Sequence, residues 1–257
     1  MNSTTTIAGA TGPLHAIVTG ASRGIGLACV RALLDTPGVA RVDAWARRAT
    51  GSDGLRALDD ARVHPVDVDL ADAARIADVG HALQSEGARV QLVVNAAGVL
   101  HDGAVQPEKS LDAIDADALR AVFAVNAFAP ILLARALQPV IPHDAPAVFA
   151  SLSARVGSIG DNALGGWYAY RASKAAQNQL LRTLAIEWRR TRPRATCLML
   201  HPGTVDTSLS QPFSAGVRVA NLFAPDRAAR QLLDIIATVS PTDTGRFIAW
   251  DGSDIAW

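Results

Sequence analysis

Short apolar runs alternate with longer amphipathic ones along most of the 257 residues, and this alternation restricts the fold more than any other feature. Seven runs have strand length: residues 14–19, 41–46, 62–67, 90–95, 146–151, 194–200 and 245–250. Helical periodicity falls between them, near 24–35, 72–86, 115–140, 164–190 and 225–239. Strands separated by helices cannot pair as hairpins, so they imply crossover connections and a doubly wound, mostly parallel α/β sheet with helices on both faces. Runs such as QLVVN are apolar without alternation, as strands buried on both faces must be. There is no internal repeat and no linker that would divide the chain. The expectation is one domain over residues 13–257, preceded by a frayed tail of small polar residues at 1–12.

Composition narrows the function. Lys and Arg number 24, Asp and Glu also 24, so no net basic charge favours nucleic acid or an anionic membrane. The two cysteines, Cys29 and Cys197, are too far apart for a zinc motif and too few for a disulfide framework. A reducing, cytoplasmic setting is therefore expected. The most apolar stretch, AVFAVNAFAPILLARAL, is interrupted by Asn126, Pro130 and Arg135 and is not read as a membrane span. The N-terminus lacks the basic start and apolar run of a signal peptide. No metal-ligand cluster stands out.

The first strand runs directly into TGASRGIG and then into a helical segment. Gly20, Gly24 and Gly26 between strand and helix let the backbone approach a pyrophosphate at the helix N-terminus. An ordinary glycine-rich turn would carry the same residues, and the spacing differs from G-x-G-x-x-G.

The chain has only two tyrosines, Tyr168 and Tyr170, and two lysines, Lys109 and Lys174. In YRASK, Tyr170 and Lys174 stand four apart, on one helix face. A phenol with an unperturbed pKa near 10 is a poor proton donor–acceptor at neutral pH, and a neighbouring ammonium stabilises its phenolate. Tyr168 has Ala172 four residues on and no such partner.

With TGASRGIG, Asp69, NAAG (95–98), Asn126, YRASK and HPGTVDT (201–207) in this order, the chain resembles the short-chain dehydrogenase/reductase family from about Leu14 to Trp257. GSIGDNALGGWYAYRASKAA and the ending WDGSDIAW resemble its C-factor and sniffer-type carbonyl reductase branch. The resemblance implies a Rossmann-type fold and a nicotinamide cofactor. By it, Tyr170 would exchange a proton with a carbonyl or alcohol oxygen, and Lys174 would also hold the ribose hydroxyls. Asn126 would kink its helix and support a proton relay. Ser22, Arg23, Ile25 and the three glycines would form the phosphate turn. Asp69 and Leu70 would contact the adenine, with Asp67 as the alternative for that contact. Asn95, Ala96, Ala97 and Gly98 would line the adenine side and support the sheet. Pro202, Gly203, Thr204, Val205 and Thr207 would pass the nicotinamide end.

Two positions depart from the family pattern. The family's substrate-orienting serine, three residues before a glycine, is Ala154 here, with Ser153 before it and Ser158 after Gly157. Ser153 is taken for the role. The second strand ends in Arg47 and Arg48, with no carboxylate to select NAD(H). Two guanidiniums there, with Arg23, suit a 2′-phosphate, so NADP(H) is expected to be preferred and NAD(H) to be the second choice. Segments 154–168 and 205–223 would bound the substrate with Trp167, Tyr168, Phe213, Leu222 and Phe223, an apolar set suited to an uncharged carbonyl; Phe213 and Phe223 could equally be core. In relatives the two long helices meet a second subunit, which implies a homodimer or homotetramer. A nucleotide-binding regulator on the same fold is the alternative function.

Overall fold

Successive strand residues face opposite ways, and here both directions lead into apolar layers. Ala16 and Val18 enter one layer while Ile17 enters the other; Leu92 and Val94 oppose Val93, and Leu198 and Leu200 oppose Cys197 and Met199. The structure, a computed structural model, describes residues 7, 9–10, 12–103, 105–213 and 221–257. Its seven-stranded parallel sheet uses β1 (Leu14–Thr19), β2 (Val39–Ala46), β3 (Val63–Asp67), β4 (Leu92–Asn95), β5 (Ala147–Leu152), β6 (Ala195–His201) and, last in the chain, β9 (Phe247–Ala249). The order is β3-β2-β1-β4-β5-β6-β9, and each expected strand lies in it. A separate parallel pair joins β7 (Thr204–Val205) to β8 (Leu222–Phe223).

Helices α1 (Gly24–Leu34) and α7 (Pro225–Thr238) cover one face. The other face is covered by α3 (Ala73–Ser85), α5 (Ala129–Leu137) and α6 (Tyr168–Thr191). A short α2 (Asp53–Arg56), capped by the Ser52 side chain, follows β2. The strand order reverses between β1 and β4, which pair through Thr19 and Asn95. The turns after these two strands therefore part, leaving a crevice at the carboxyl ends of the strands.

Residues 116–140 are helical throughout, as the periodicity predicts, but not uniformly. α4 (Ala116–Phe123) widens into a π-helical turn over Ala124–Phe128 before α5 begins. Pro130 has no N–H for the carbonyl four residues back, at Asn126, and a wider turn relaxes that local demand. This helical stretch, whose most apolar 18 residues have mean hydropathy 1.5, is long and apolar enough to cross a membrane by length and composition alone, a test that the core helix of a globular domain also passes. It packs on the sheet through Leu133, Ala134 and Leu137.

α6 begins at Tyr168 rather than 164, because Gly165, Gly166 and Trp167 all take positive φ. Of the first twelve residues, Ile7 is buried in the α1 side of the core; residues 1–6, 8 and 11 of the expected tail lie outside the described residues. Cys29 and Cys197 are free and buried.

Candidate active site

The turn after β1 is built for close approach. Gly20 has φ +66°, and a Cβ there would come within 3.0 Å of the Ala97 backbone. A Cβ on Gly26 would stand 2.2 Å from the Gly20 carbonyl oxygen. α1 starts with no side-chain cap and no acid in its first turn. Its first N–H groups thus lack intrahelical partners and its positive end is uncompensated, which fits a pyrophosphate. Gly24 brings the turn against Thr207, 3.3 Å from its own added Cβ.

These residues open on a cleft of about 1350 Å³ at the carboxyl ends of the strands. It is lined by Gly20, Ser22, Arg23, Gly24, Ile25 and Gly26, by Arg47, Arg48, Asp69 and Leu70, and by Ala96, Ala97 and Gly98. Ser153, Tyr170 and Lys174 line it too, with Pro202, Gly203, Thr204, Val205 and Thr207. One cleft therefore unites nearly every site residue expected from the sequence.

The exceptions have physical reasons. Asn95, expected both to line the adenine side and to support the sheet, does only the second: it is buried within the sheet, accepting from Thr19 Oγ1 at 2.5 Å and donating to Ser151 Oγ at 2.7 Å. It ties three strands together and has no surface on the cleft. Asp67 turns to Thr50, accepting from its N–H and hydroxyl, and those bonds hold its carboxyl below the usual range. This leaves Asp69 in the cleft. Tyr168 is 41% exposed and lies outside the cleft wall. Phe223 packs on Trp250 beneath Arg227, and Leu222 precedes it in the β7–β8 pair; neither lines the cleft. Residues 214–220 of the expected substrate boundary lie outside the described residues.

Tyr170 and Lys174 occupy the first turns of α6, whose start is secured from a distance. Glu108 accepts from the Ala169 N–H through Oε2 at 3.2 Å and from the Trp167 N–H through its carbonyl at 2.6 Å. Gly157 lets the end of β5 close on this helix: a Cβ there would meet Lys174 Cβ at 2.8 Å. Among the described residues no side chain or backbone group hydrogen-bonds the Tyr170 hydroxyl, and burial pushes its pKa up to about 12. Burial brings Lys174 down to about 7. Its Nζ donates to the Leu152 carbonyl at 2.8 Å and to Gln177 Oε1 at 2.9 Å.

Asn126 sits in the π-helical turn and spans to the loop after β4. It accepts from the Val99 N–H at 2.8 Å and donates to the Val99 carbonyl at 2.7 Å, and to Ser173 Oγ at 3.2 Å. Asn126 is not among the groups lining the cleft, but a Cβ on Gly98 would lie 3.5 Å from its Oδ1 and 3.8 Å from Lys174 Nζ.

Ser153 points its hydroxyl at α6, donating to Asn178 Oδ1 at 2.7 Å. Ser158 is buried and accepts from the Asp161 N–H. Ser153 lines the cleft, and its proton is engaged between β5 and α6. The expected result of Ser153→Ala is a loss of about 1–3 kcal/mol of stability, from the acceptor stranded on buried Asn178, read by denaturant melting. Turnover should stay within about threefold of the parent, as for a group making no transition-state contact.

The far end of the cleft is aromatic. Trp167 meets Tyr170 edge-on at 6.2 Å between ring centroids and Phe213 at 5.2 Å, and His101 meets Phe213 at 5.7 Å. Arg155 and Arg171 also line it, so the substrate end carries more charge than its aromatic residues alone imply. Arg155 pairs with Asp161 at 3.4 Å, and Arg171 Nε is held by the Gly165 and Gly166 carbonyls. His201 was not singled out in the sequence except as part of HPGTVDT. It lines the cleft, its Nδ1 is buried with no hydrogen-bond partner among the described residues, and burial, with Arg155 nearby, lowers its pKa to about 4.

At the cofactor end, Arg47 donates to Asp102 at 3.2 Å across the cleft mouth. Arg48 and Arg23 are exposed with no carboxylate partner among the described residues.

Comparison with known proteins agrees with this geometry. The family model for short chain dehydrogenase matches residues 14–218. The chain is 30% identical over 190 residues to 1-hydroxy-2-glutathionyl-2-methyl-3-butene dehydrogenase of Rhodococcus sp., covering 74% of this chain and 78% of that one. It is 33% identical over 149 residues to C-signal of Myxococcus xanthus, covering 58% and 84%. Among solved structures, the NADPH-bound carbonyl reductase from chicken fatty liver superposes with a TM-score of 0.83 at 26% identity, covering 96% of this chain and all of that one.

Proposed function

The chain belongs to the short-chain dehydrogenase family, and from that premise we propose that it is an NADP(H)-dependent reductase of a small or medium-sized uncharged aldehyde or ketone, able to oxidise the corresponding alcohol. The observation that carries this reading is the half-buried phenol of Tyr170, without a partner among the described residues, one helical turn from Lys174 in the cleft that also holds the uncapped glycine turn. The carbonyl reductase from chicken fatty liver, with NADPH bound, is in keeping with it.

A nicotinamide cofactor, when bound, supplies the hydride. The glycine turn and the first N–H groups of α1 would hold its pyrophosphate, and Asp69 with Leu70 its adenine. Tyr170 gives its proton to the carbonyl oxygen, and at neutral pH a phenol with a pKa near 12 is fully protonated for that task. Lys174, one helical turn on from Tyr170 in the same cleft, would stabilise the phenol's ionised form and would take the ribose hydroxyls. Asn126 fixes the Val99 backbone beside them. The aromatic walls of Trp167 and Phe213 are the free surface at the substrate end, since Arg155 and Arg171 are engaged by Asp161 and by backbone carbonyls.

Cofactor choice rests on Arg48 and Arg23, with Arg47 in competition with Asp102. A charge-assisted pair is worth about 1.5–3 kcal/mol, so Arg48→Asp should weaken NADPH about 10–100-fold. NADH affinity should change little. Equal use of NADH and NADPH by the parent protein would remove the preference. The activity itself is tested by following NADPH consumption with aldehydes, ketones, diketones and quinones. A second reading, a nucleotide-binding regulator with little turnover, is favoured by the engaged Ser153 hydroxyl and by the C-signal relative. Tight NADPH binding without turnover on any carbonyl would select it.

The same proposal includes a cytoplasmic location, in keeping with two free, buried thiols. It also includes a homodimer or homotetramer meeting through α5 and α6, beside which Phe128 and Ile186 are exposed.

A further inference from the structure

Lys174 does not stand alone behind Tyr170. Its Nζ donates to Gln177 Oε1, and the Gln177 amide is itself oriented by what lies behind it. Gln177 Nε2 donates to Ser151 Oγ at 3.0 Å and to the Leu152 carbonyl at 3.2 Å. Ser151 Oγ accepts from the opposite side as well, from Asn95 Nδ2, whose Oδ1 is occupied by Thr19. With donors bound to Ser151 and Leu152, the Gln177 amide can present only its oxygen to Lys174. All five side chains are buried, and the chain crosses the sheet from β1 to α6.

We propose that Gln177 is a positioning residue for proton transfer, giving the Lys174 ammonium a fixed acceptor so that it stands beside Tyr170 with one N–H left for the cleft. This rests on the reductase reading above and assigns a residue to it. An ammonium has three donors and no acceptor; Leu152 and Gln177 take two of them. An acceptor bonded to the charged form favours that form, against the burial that disfavours it. Among the described residues, the groups placed against Lys174 from other elements are neutral: the Leu152 carbonyl at the end of β5, the Gly157 backbone, and the Gly98 backbone after β4 with Asn126 beside it. On its own helix the titratable neighbour is Tyr170. Among the described residues no carboxylate pairs with Lys174, and burial alone moves it toward 7. Hence loss of the Gln177 oxygen has no other charge to mask it.

The two-lysine composition permits a direct test. Lysine labelled with 13C at Cε gives two side-chain signals, with exposed Lys109 as internal reference. In the protein without cofactor, Gln177→Met should move the Lys174 midpoint down by about one pH unit, and Gln177→Glu should move it up by at least as much. The Lys109 midpoint should stay in place. The alkaline limb of kcat/KM for NADPH should follow Lys174 in both variants, since rising pH removes the ammonium. A merely structural glutamine would alter melting temperature and leave these midpoints alone. Lys174 midpoints in both variants within about 0.3 unit of the parent would overturn the proposal, and if Gln177→Met fails to fold, Gln177→Glu decides it. A shifted Lys174 in a protein that turns over no carbonyl would sink the reductase reading and not the amide–ammonium contact.

Discussion

Tyr170→Phe is expected to slow carbonyl reduction by about 10²–10⁴-fold, the usual weight of a positioned general acid. The NADPH dissociation constant should stay within about threefold, because the ring remains and only the hydroxyl is lost. This contrast, in kcat against Kd, separates a proton donor from a residue that shapes the cleft. Tyr168→Phe is the matched control: same residue type, same helix turn, but outside the cleft wall, and near-parental rates are expected. The direction of pH dependence follows from the same group. Its pKa, near 12, leaves the phenol protonated through the neutral range, so reduction needs no activation of Tyr170. Alcohol oxidation needs the phenolate and should climb as pH rises. A Tyr170→Phe protein with parental turnover would remove the phenol from the chemistry altogether.

Gly26→Ala should have the other large effect. An added methyl would stand 2.2 Å from the Gly20 carbonyl oxygen, and backbone cannot swing aside as a side chain can. The turn must open, at a cost of about 1–3 kcal/mol for overpacking. Opening it withdraws the first N–H groups of α1 from a bound pyrophosphate. Losing two charge-assisted bonds of this kind amounts to about 3–6 kcal/mol, on the order of 10²–10⁴ in NADPH affinity. Gly51→Ala is the control, at an exposed position where an added Cβ meets nothing within 4 Å. Equal NADPH affinity in the two variants would show that the turn does not hold the cofactor.

The inner strands of the sheet were legible because strands buried on both faces read as apolar runs, and the edge strand β3, which has no buried residue, was legible from its place between two helical segments. The start of α6 was not. Its first N–H groups are satisfied by Glu108, some sixty positions earlier in the chain, and no local pattern announces a partner at that distance. Tyr170 and Lys174 were legible because the i, i+4 relation is local. Asn95 was only half legible, its support of the sheet being expected and its absence from the cleft not. As a polar residue ending a strand it resembled a cleft residue, and only pairing with β1 and β5 shows that both its neighbours lie within the sheet. Gln177 carried a local signal, three residues after Lys174 on one helix face, but its meaning depends on Ser151 from another strand. Ser153 depended on which way one hydroxyl turned.

The polar chain from Thr19 to Lys174 also restricts how this sequence can change. Each member satisfies a buried neighbour, so replacing one strands another, and the cost of a single step exceeds that of the matching double step. Thr19, Asn95, Ser151 and Gln177 are therefore coupled as an inheritance: an apolar replacement at 177 becomes tolerable only once 151 has changed as well. Variation at these four positions should arrive in sets, and redesign of the interior must move them together.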